Sequence, residues 1–412
     1  MKILPLKGTC DYLPEEVALR DYLQNTILSV YRSAGYERIS TPAIEDIENI
    51  DKSEGGDNLN LIFKILKRGE KLEKAIESGD SHELCDMGLR YDLTLPLSRY
   101  YANNRLHLLT PAKCIQTDRV WRAERPQKGR LREFIQCDID ILGSSSPDCE
   151  VDLIVTTAKA LRAVGMDNFS IRINDRSLLL GVLSAMGVPA DKTDTVCVSL
   201  DKLDKIGVEG VRRELEGKEL PLETIDKLCL LMADGKVTLE AAASHLTDRT
   251  PADRLQYIMD TVATLTDGTL PLYFDMTLIR GQGYYTGPVF EVCSTEFRGA
   301  IAGGGRYDGL IGKFIGENVP AVGFSIGFER IYGILKDKGF TPPTARRRVA
   351  FLYHHDEYLT ATRMAEEMRG EADVSLIEKV GKVGKLINRI AQYGFDAFCE
   401  LRDGELVVKE LK

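Results

Sequence analysis

The amino-acid sequence predicts an α+β protein with one strand-rich domain built in two pieces, a helical insertion between them, and a small α/β unit at the end of the chain. Three observations carry this reading. From "LRYDLTLP" at Leu89 to "DIDIL" ending at Leu142 the chain reads as strands with intervening turns and one helix. Between about Leu178 and Asp267 the pattern changes to amphipathic helical runs such as "GVRREL" and "IDKLCLLM". Strand and glycine signals then return from "LYFDMTLIRGQGYYTGPVFEV" onward, and a chain that leaves a sheet for about 90 residues and comes back has inserted one domain in another. The expected boundaries are 1–177 and 268–337 for the strand-rich domain, 178–267 for the insertion, 338–347 for a linker and 348–412 for the small unit.

In chain order, the first helix follows Pro14, with Leu19, Leu23, Ile27, Val30 and Ala34 at helical spacing and Gly35 as its stop. "YERISTPAIED" has the β-branched residues of a strand, and Pro42 places it at an edge or an interface. Residues 150–165 read as a helix and "FSIRIND" as a strand. After the insertion come "AIAGGGRYDGL" and "VPAVGFSIGFERIYGIL", then the linker "KGFTPPTARRR". Beyond it, "VAFLYH", "VSLIEK", "AFCEL" and "ELVVKEL" read as strands, with a helix to Arg369, another around Leu386 and Ile390, and a turn at Asp403.

Composition narrows the function classes. A chain of 412 residues, 43% hydrophobic and 28% charged, is that of a folded water-soluble protein. It has no leader-like apolar segment after "MKILPLKGTCDYLP" and no apolar run of about 18 residues, so a cytoplasmic location and no membrane partner are expected. A net charge of -9 argues against non-specific coating of nucleic acid, which would have to be met by a local basic patch. The nine cysteines are scattered without metal-ligand spacing, and adjacent His354 and His355 on an expected strand would point to opposite faces, so no metal site is expected.

The chemistry concentrates in "VWRAERPQKGRLREFIQCDID", Val120 to Asp140. Arg122, Arg125, Lys128, Arg130 and Arg132 make a loop suited to a polyphosphate, with Glu124 as its early carboxylate. Ile135, Cys137 and Ile139 then alternate with Gln136, Asp138 and Asp140, the two-residue period of a half-buried strand. Such a polar face is ordinarily just solvated, but beside this loop it offers a place for a cationic group next to an anionic one. "RGQGYYTG", Arg280 to Gly287, adds a guanidinium, close-approach glycines and the hydroxyls of Tyr284 and Tyr285. "GGGRYDGL", Gly303 to Leu310, is similar to a phosphate loop without its full spacing, and "GFSIGFER" places Arg330 where it could stack on a flat ring.

Taken together these stretches resemble the histidyl-tRNA synthetase family of class II aminoacyl-tRNA synthetases. "RAERPQKGRLREF" looks like motif 2 and "GFSIGFER" like motif 3, and "LRYDLTLP", "RGQGYYTG", "AGGGRYDGL", "INDRSLLLG" and "SLDKLDKIG" follow the family's order. The resemblance implies the class II fold, an antiparallel sheet of six or more strands flanked by helices, with residues 1–177 and 268–337 as its catalytic core and 348–412 as a shortened anticodon-binding-like domain. It implies attack of L-histidine on the α-phosphate of ATP, with Mg2+ accompanying ATP and no tightly bound cofactor, and transfer of the acyl group to tRNA(His) by a homodimer. Arg122 would bridge the α-phosphate and the histidine carboxylate, and Arg280 would hold the α-phosphate from the other side. Phe134 and Arg330 would sandwich the adenine, with Glu124 on its amino edge and Arg130 near the outer phosphates. Asp92, Thr94 and Gln136 would receive the α-ammonium, and Asp140 with Tyr285, beside Tyr284, would read the imidazole.

Three departures from the family pattern stand out: Cys10 where an arginine is usual, Gly283 before the paired tyrosines, and a chain that stops at Lys412 before the last strand and helix expected of the C-terminal domain. They leave a second function class open, a synthetase-like regulatory subunit of ATP phosphoribosyltransferase that senses ligand without aminoacylating. A pure binding subunit, however, has little need of Arg122, Glu124, Arg130, Arg280 and Arg330 together.

Overall fold

The computed structural model describes residues 3–51, 60–127, 129–200, 202–233, 237–279, 284–343 and 346–411. Two compact units emerge, one of residues 1–11 and 23–338, the other of 12–22 and 339–412, so that α1 (Pro14–Ser33) contributes to both.

The larger unit is organised by an eight-stranded sheet, β1-β5-β6-β11-β10-β9-β7-β8. Its members are β1 (Glu37–Arg38), β5 (Ala112–Trp121), β6 (Glu133–Leu142), β7 (Phe169–Asp175), β8 (Leu272–Phe274), β9 (Pro288–Ser294), β10 (Ala300–Arg306) and β11 (Ala321–Gly327). The six inner strands are antiparallel to their neighbours, and only the short outer β1 and β8 join in parallel. The expected strand "YERISTPAIED" is divided: β1 takes Glu37–Arg38, Pro42 lies between strands, and β2 (Ile44–Asp46) joins β3 (Lys64–Leu66) and β4 (Cys85–Leu89) in a separate three-stranded sheet, β2-β4-β3. Proline has no N–H to give a ladder, which accounts for the break.

β6 lies at the middle of this architecture, paired with β5 over its whole length and with β11 from Gln136 to Leu142. Cys137, Ile139 and Ile141 are fully or almost fully buried, and each isoleucine so removed from water contributes about 1.5–3 kcal/mol. Helices α2 (Ile47–Asp51), α3 (Glu70–Ser78) and α4 (Thr94–Asn104) punctuate the first half, and α5 (Asp148–Ala163) packs on β6 and β11. The segment after β7 is helical as its periodicity requires: α6 (Arg176–Ala185), α7 (Thr193–Leu200), α8 (Leu203–Glu216), α9 (Leu222–Ala233), α10 (Leu239–Ala243) and α11 (Thr250–Leu265). Of these, α6 and α11 lie against β7. The larger unit closes with α12 (Gly309–Ile315), packed on α4, and α13 (Phe328–Asp337), packed on β6 and β10.

The smaller unit has a four-stranded sheet, β13-β12-β14-β15, of β12 (Arg347–Tyr353), β13 (Ala372–Glu378), β14 (Ala397–Arg402) and β15 (Glu405–Glu410), with α14 (Tyr358–Met368) and α15 (Val383–Gln392) as its connections. β12, β13 and β14 are mutually parallel and β15 returns antiparallel through the turn at Asp403. His354 and His355 are not on a strand: β12 ends at Tyr353, and His355 opens a short 3-10 turn with Nδ1 3.4 Å from Glu378.

Two buried arginines fasten the larger unit from inside. Arg306, 3% exposed, lies bidentate on the fully buried Glu150, at 2.6 and 2.8 Å. Arg90, equally buried, donates to the Thr41 and Arg119 carbonyls and pairs with Asp118 at 2.9 Å, tying the Pro42 segment to β5. Removing one member of a buried pair leaves the other charge desolvated, so Glu150→Ala is expected to lower the unfolding free energy by about 3–5 kcal/mol, read from a urea transition.

Candidate functional site

A cleft of about 1030 Å³ opens over the middle of the large sheet, lined from β6, β10, β11, the loop between β5 and β6, the start of α4 and the segment before β9. Asp92, Thr94, Arg122, Glu124, Arg130, Phe134, Gln136, Asp140, Tyr284, Tyr285 and Arg330, dispersed over most of the sequence, all line it. Arg280 and Gly283 lie outside the described residues, as does Lys128.

The floor is acidic. Alternation along β6 brings Gln136, Asp138 and Asp140 to the cleft, and Asp92 joins them from the turn that opens α4. That turn is held by Gln116 of β5, whose amide donates to the Leu93 carbonyl at 2.8 Å while its own oxygen accepts from Thr41 at 3.0 Å. Asp92 Oδ1 caps the helix by accepting from the Leu95 N–H at 3.1 Å; its Oδ2 is buried and has no partner among the described residues, and the same is true of Gln136 Oε1. Burial raises the pKa of Asp92, and burial with the neighbouring Asp140 charge raises that of Asp138. Asp140 is pushed up to about 7, mainly by burial and further by Asp92, against the hydrogen bond it accepts from the Tyr307 hydroxyl at 2.6 Å. Three carboxylates kept from water, with one of their own oxygens and the Gln136 amide oxygen unpartnered among the described residues, are short of a cation carrying N–H donors.

Glycines keep this floor accessible. The run in "GGGRYDGL" is strand β10, and only the residues after it turn into α12, so the phosphate-loop likeness does not hold; what places glycine there is close approach. On the cleft face a Cβ on Gly323 would stand 1.9 Å from Asp140 Oδ1, whereas one on Gly304, which pairs with Phe324 and Phe290 on the apolar face, would stand 2.0 Å from the Gly323 carbonyl oxygen. Neither distance is possible for real atoms, so Asp140 occupies the space where the Gly323 side chain would be.

The opposite wall is basic. Arg122 donates from Nε to the Tyr91 carbonyl at 2.9 Å and lies 5.1 Å over the Phe134 ring, and Glu124 stands between the guanidiniums of Arg122 and Arg130, at 4.0 and 3.4 Å. Arg125 also faces the cleft. Arg132 does not: it braces the loop, donating to the Glu124 and Lys7 carbonyls, while its own N–H reaches the Gly8 carbonyl at 2.7 Å. Arg330 stacks 5.6 Å over Phe297 and donates to the Ala300 carbonyl. Tyr307 was not singled out by sequence reasoning, because its partner Asp140 is 167 residues away and no local spacing announces the pair. Phe297 escaped for a similar reason.

The raised Asp140 gives a signed pH effect. The folded chain holds this proton up to about pH 7 while the unfolded chain releases it near pH 4, so over that window the native state binds more protons and its stability falls as pH rises. Asp140→Asn abolishes this contribution, and urea transitions at about pH 5 and about pH 8 are expected to show the variant gaining on the parent at the higher pH.

The family model for histidyl-tRNA synthetase matches residues 8–331. A relative from Leifsonia xyli subsp. xyli, named histidine-tRNA ligase, is 42% identical over 347 residues, 81% of this chain and 80% of its own. Another of that name from Christiangramia forsetii is 36% identical over 402 residues, 92% and 88% of the two chains. Among solved structures, a histidyl-tRNA synthetase from a Nostoc species superposes with a TM-score of 0.79 at 26% identity, over 100% of this chain and 97% of that one. A Bacillus halodurans protein described as an ATP phosphoribosyltransferase regulatory subunit/histidyl-tRNA synthetase reaches 0.78 at 21% identity over 94% and 96%, a likeness of fold. On the family match and on relatives of this identity covering most of both chains, this chain belongs to the histidyl-tRNA synthetase family.

Proposed function

We propose that the cleft performs both steps of histidine-tRNA ligation with the residues named above. The observation that carries the assignment is the pair of buried, unpartnered acceptors, Asp92 Oδ2 and Gln136 Oε1, on an acidic floor facing a wall of guanidiniums. The α-ammonium of L-histidine supplies the missing donors, received by Asp92, Thr94 and Gln136. Asp140, with Tyr307 donating to its other side, and Tyr285 address the imidazole. The histidine carboxylate then lies toward Arg122, where its oxygen attacks the α-phosphorus of ATP and pyrophosphate leaves. Arg122 and, from the other side, Arg280 meet the charge that builds on the phosphoryl oxygens, and such preorganised donors carry most of the rate when little other chemistry is needed. Phe134 and Arg330 hold the adenine, Glu124 its amino edge, and Arg130 the outer phosphates. In the second step the terminal ribose hydroxyl of tRNA(His) attacks the activated carbonyl and AMP leaves.

Mg2+ belongs to this reading as the companion of ATP. Glu124, Glu291 and Glu329 are the cleft carboxylates outside the acidic floor; with Glu124 on the adenine, Glu291 and Glu329 are the ones that would meet an ion that retains most of its water and touches few protein oxygens. Among the described residues no helix is long and apolar enough to cross a membrane, and a cytoplasmic site of action is part of the proposal. So is a role for the smaller unit on the anticodon side of the tRNA. The regulatory alternative is not favoured, because both relatives compared above over most of their length are ligases and the basic wall of the cleft exceeds what ligand sensing requires.

The deciding experiment is pyrophosphate exchange. Labelled pyrophosphate is expected to enter ATP only when L-histidine is present; exchange without amino-acid preference, or none at all, would remove the ligase reading.

Assembly is a further part of the proposal. The sheet of β2, β4 and β3 leaves Ile44, Met87 and Leu66 exposed beside Pro42, a patch that a two-fold related copy would cover. Light scattering is expected to give twice the 45.9 kDa chain mass, and an active monomer of that mass would refute it.

A further inference from the structure

Asp138 is the one floor carboxylate to which the roles above give no task. It is 4% exposed, lies between Gln136 and Asp140 on β6, and stands opposite Ser325 of β11 and Gln116 of β5 in the sheet register. Gln136 Nε2 lies 3.2 and 3.4 Å from its two oxygens and 3.3 Å from Ser325 Oγ. A primary amide has one end that donates and one that accepts, whereas a carboxylate only accepts. With its NH2 directed to Asp138, Gln136 is left with Oε1, the atom that has no partner among the described residues. The Ser325 hydroxyl can donate or accept and so does not by itself choose between the two orientations.

We infer that Asp138 is a positioning residue for the amino acid: it locks the Gln136 amide so that a carbonyl oxygen, and not an NH2 group, is available to the α-ammonium of the substrate. An ammonium carries donors alone, so a flipped amide would set N–H against N–H beside a positive charge. This role rests on the reading of the cleft as a histidine site and adds to it a residue that acts through Gln136 without touching the ligand. Burial and Asp140 favour the neutral form of Asp138 in the empty cleft, with Asp92 adding to the repulsion. A bound cation offsets that repulsion, so the acceptor-only carboxylate is favoured in the state where the orientation counts.

The test is pyrophosphate exchange with L-histidine and ATP varied in turn, on the parent, Asp138→Asn, Gln136→Glu and the Gln136→Glu/Asp138→Asn double variant. Asparagine can turn either end to Gln136, so the lock is lost while volume is kept. The KM for histidine is expected to rise about tenfold, the scale of one hydrogen bond to a charged group, with kcat and the KM for ATP changed less than about threefold. Gln136→Glu alone sets two carboxylates side by side and is expected to be worse than the double variant. In the double variant the acceptor-only group has moved to position 136, where it faces the ammonium and accepts from the amide introduced at position 138, and the KM for histidine is expected to return to within about threefold of the parent. The inference is overturned by a parent-like histidine KM in Asp138→Asn, by equal losses in kcat and in both KM values without recovery in the double variant, or by Gln136→Glu performing as well as the double variant. A parent without histidine-dependent exchange would sink the reading of the cleft itself, a different outcome from any of these.

Discussion

The cleft exists because two neighbouring strands give up their side chains at its floor. Gly305 of β10 pairs with Gly323 of β11 and Gly323 with Asp140, so their absent side chains lie on the acidic face of β6; a Cβ at Gly323 would stand 1.9 Å from Asp140 Oδ1 and one at Gly305 would stand 2.9 Å from the Tyr285 ring, both closer than real contacts allow. Every later feature depends on that vacancy. It lets Asp140 lie flat on β11 and lets the Tyr307 hydroxyl reach it, and it keeps the acidic face of β6 open to a ligand in the middle of an otherwise packed sheet. The same residues that weaken a strand by offering nothing to pack are here the condition for a site.

Around that opening the chain separates charge. Asp92, Asp138 and Asp140 are nearly dry, and Arg122, Arg125 and Arg130 line the other wall. Arg122 and Glu124 are partly exposed, so their mutual attraction is screened and contributes little to stability. The acidic floor is destabilising in the empty protein, as the raised pKa values of its carboxylates record, and a site held in that condition favours the ligand that neutralises it. Stability is supplied elsewhere, by the apolar face of β6, by the buried Glu150–Arg306 pair, and by the buried Arg90, which reaches two carbonyls and the partly exposed Asp118.

The departures from the family pattern fall unevenly on this frame. Cys10 is exposed, two residues beyond Gly8, whose carbonyl holds Arg132 and whose missing side chain leaves room for Pro126 and Arg132. The N-terminal segment therefore supports the basic loop through its backbone and through glycine, and this support does not depend on the side chain at position 10. Gly283 lies outside the described residues, but the tyrosines that follow it are in place: Tyr285 is buried, and Tyr284 packs at 4.9 Å from Tyr285 and 6.0 Å from Tyr307.

Much of this protein was determined by the sequence alone. The two-residue period of Ile135 to Asp140 dictates which side chains share a face, and the helical period after β7 dictates helices there, because both patterns are set by geometry over a few residues. Basic loop, acidic strand and paired tyrosines are likewise read from adjacent positions, which is why the cleft's lining was legible before its shape. Only the tertiary structure decided whether the Gly303–Gly305 run is loop or strand, since glycine is at ease in either and the choice falls to its pairing with β9 and β11. It alone paired Tyr307 with Asp140, Arg306 with Glu150 and the Gln136 amide with Asp138 and Ser325. It also moved His354 and His355 off their expected strand. Such contacts depend on the register of strands distant in sequence, and local preference, which acts over one turn or one pleat, carries no information about that register.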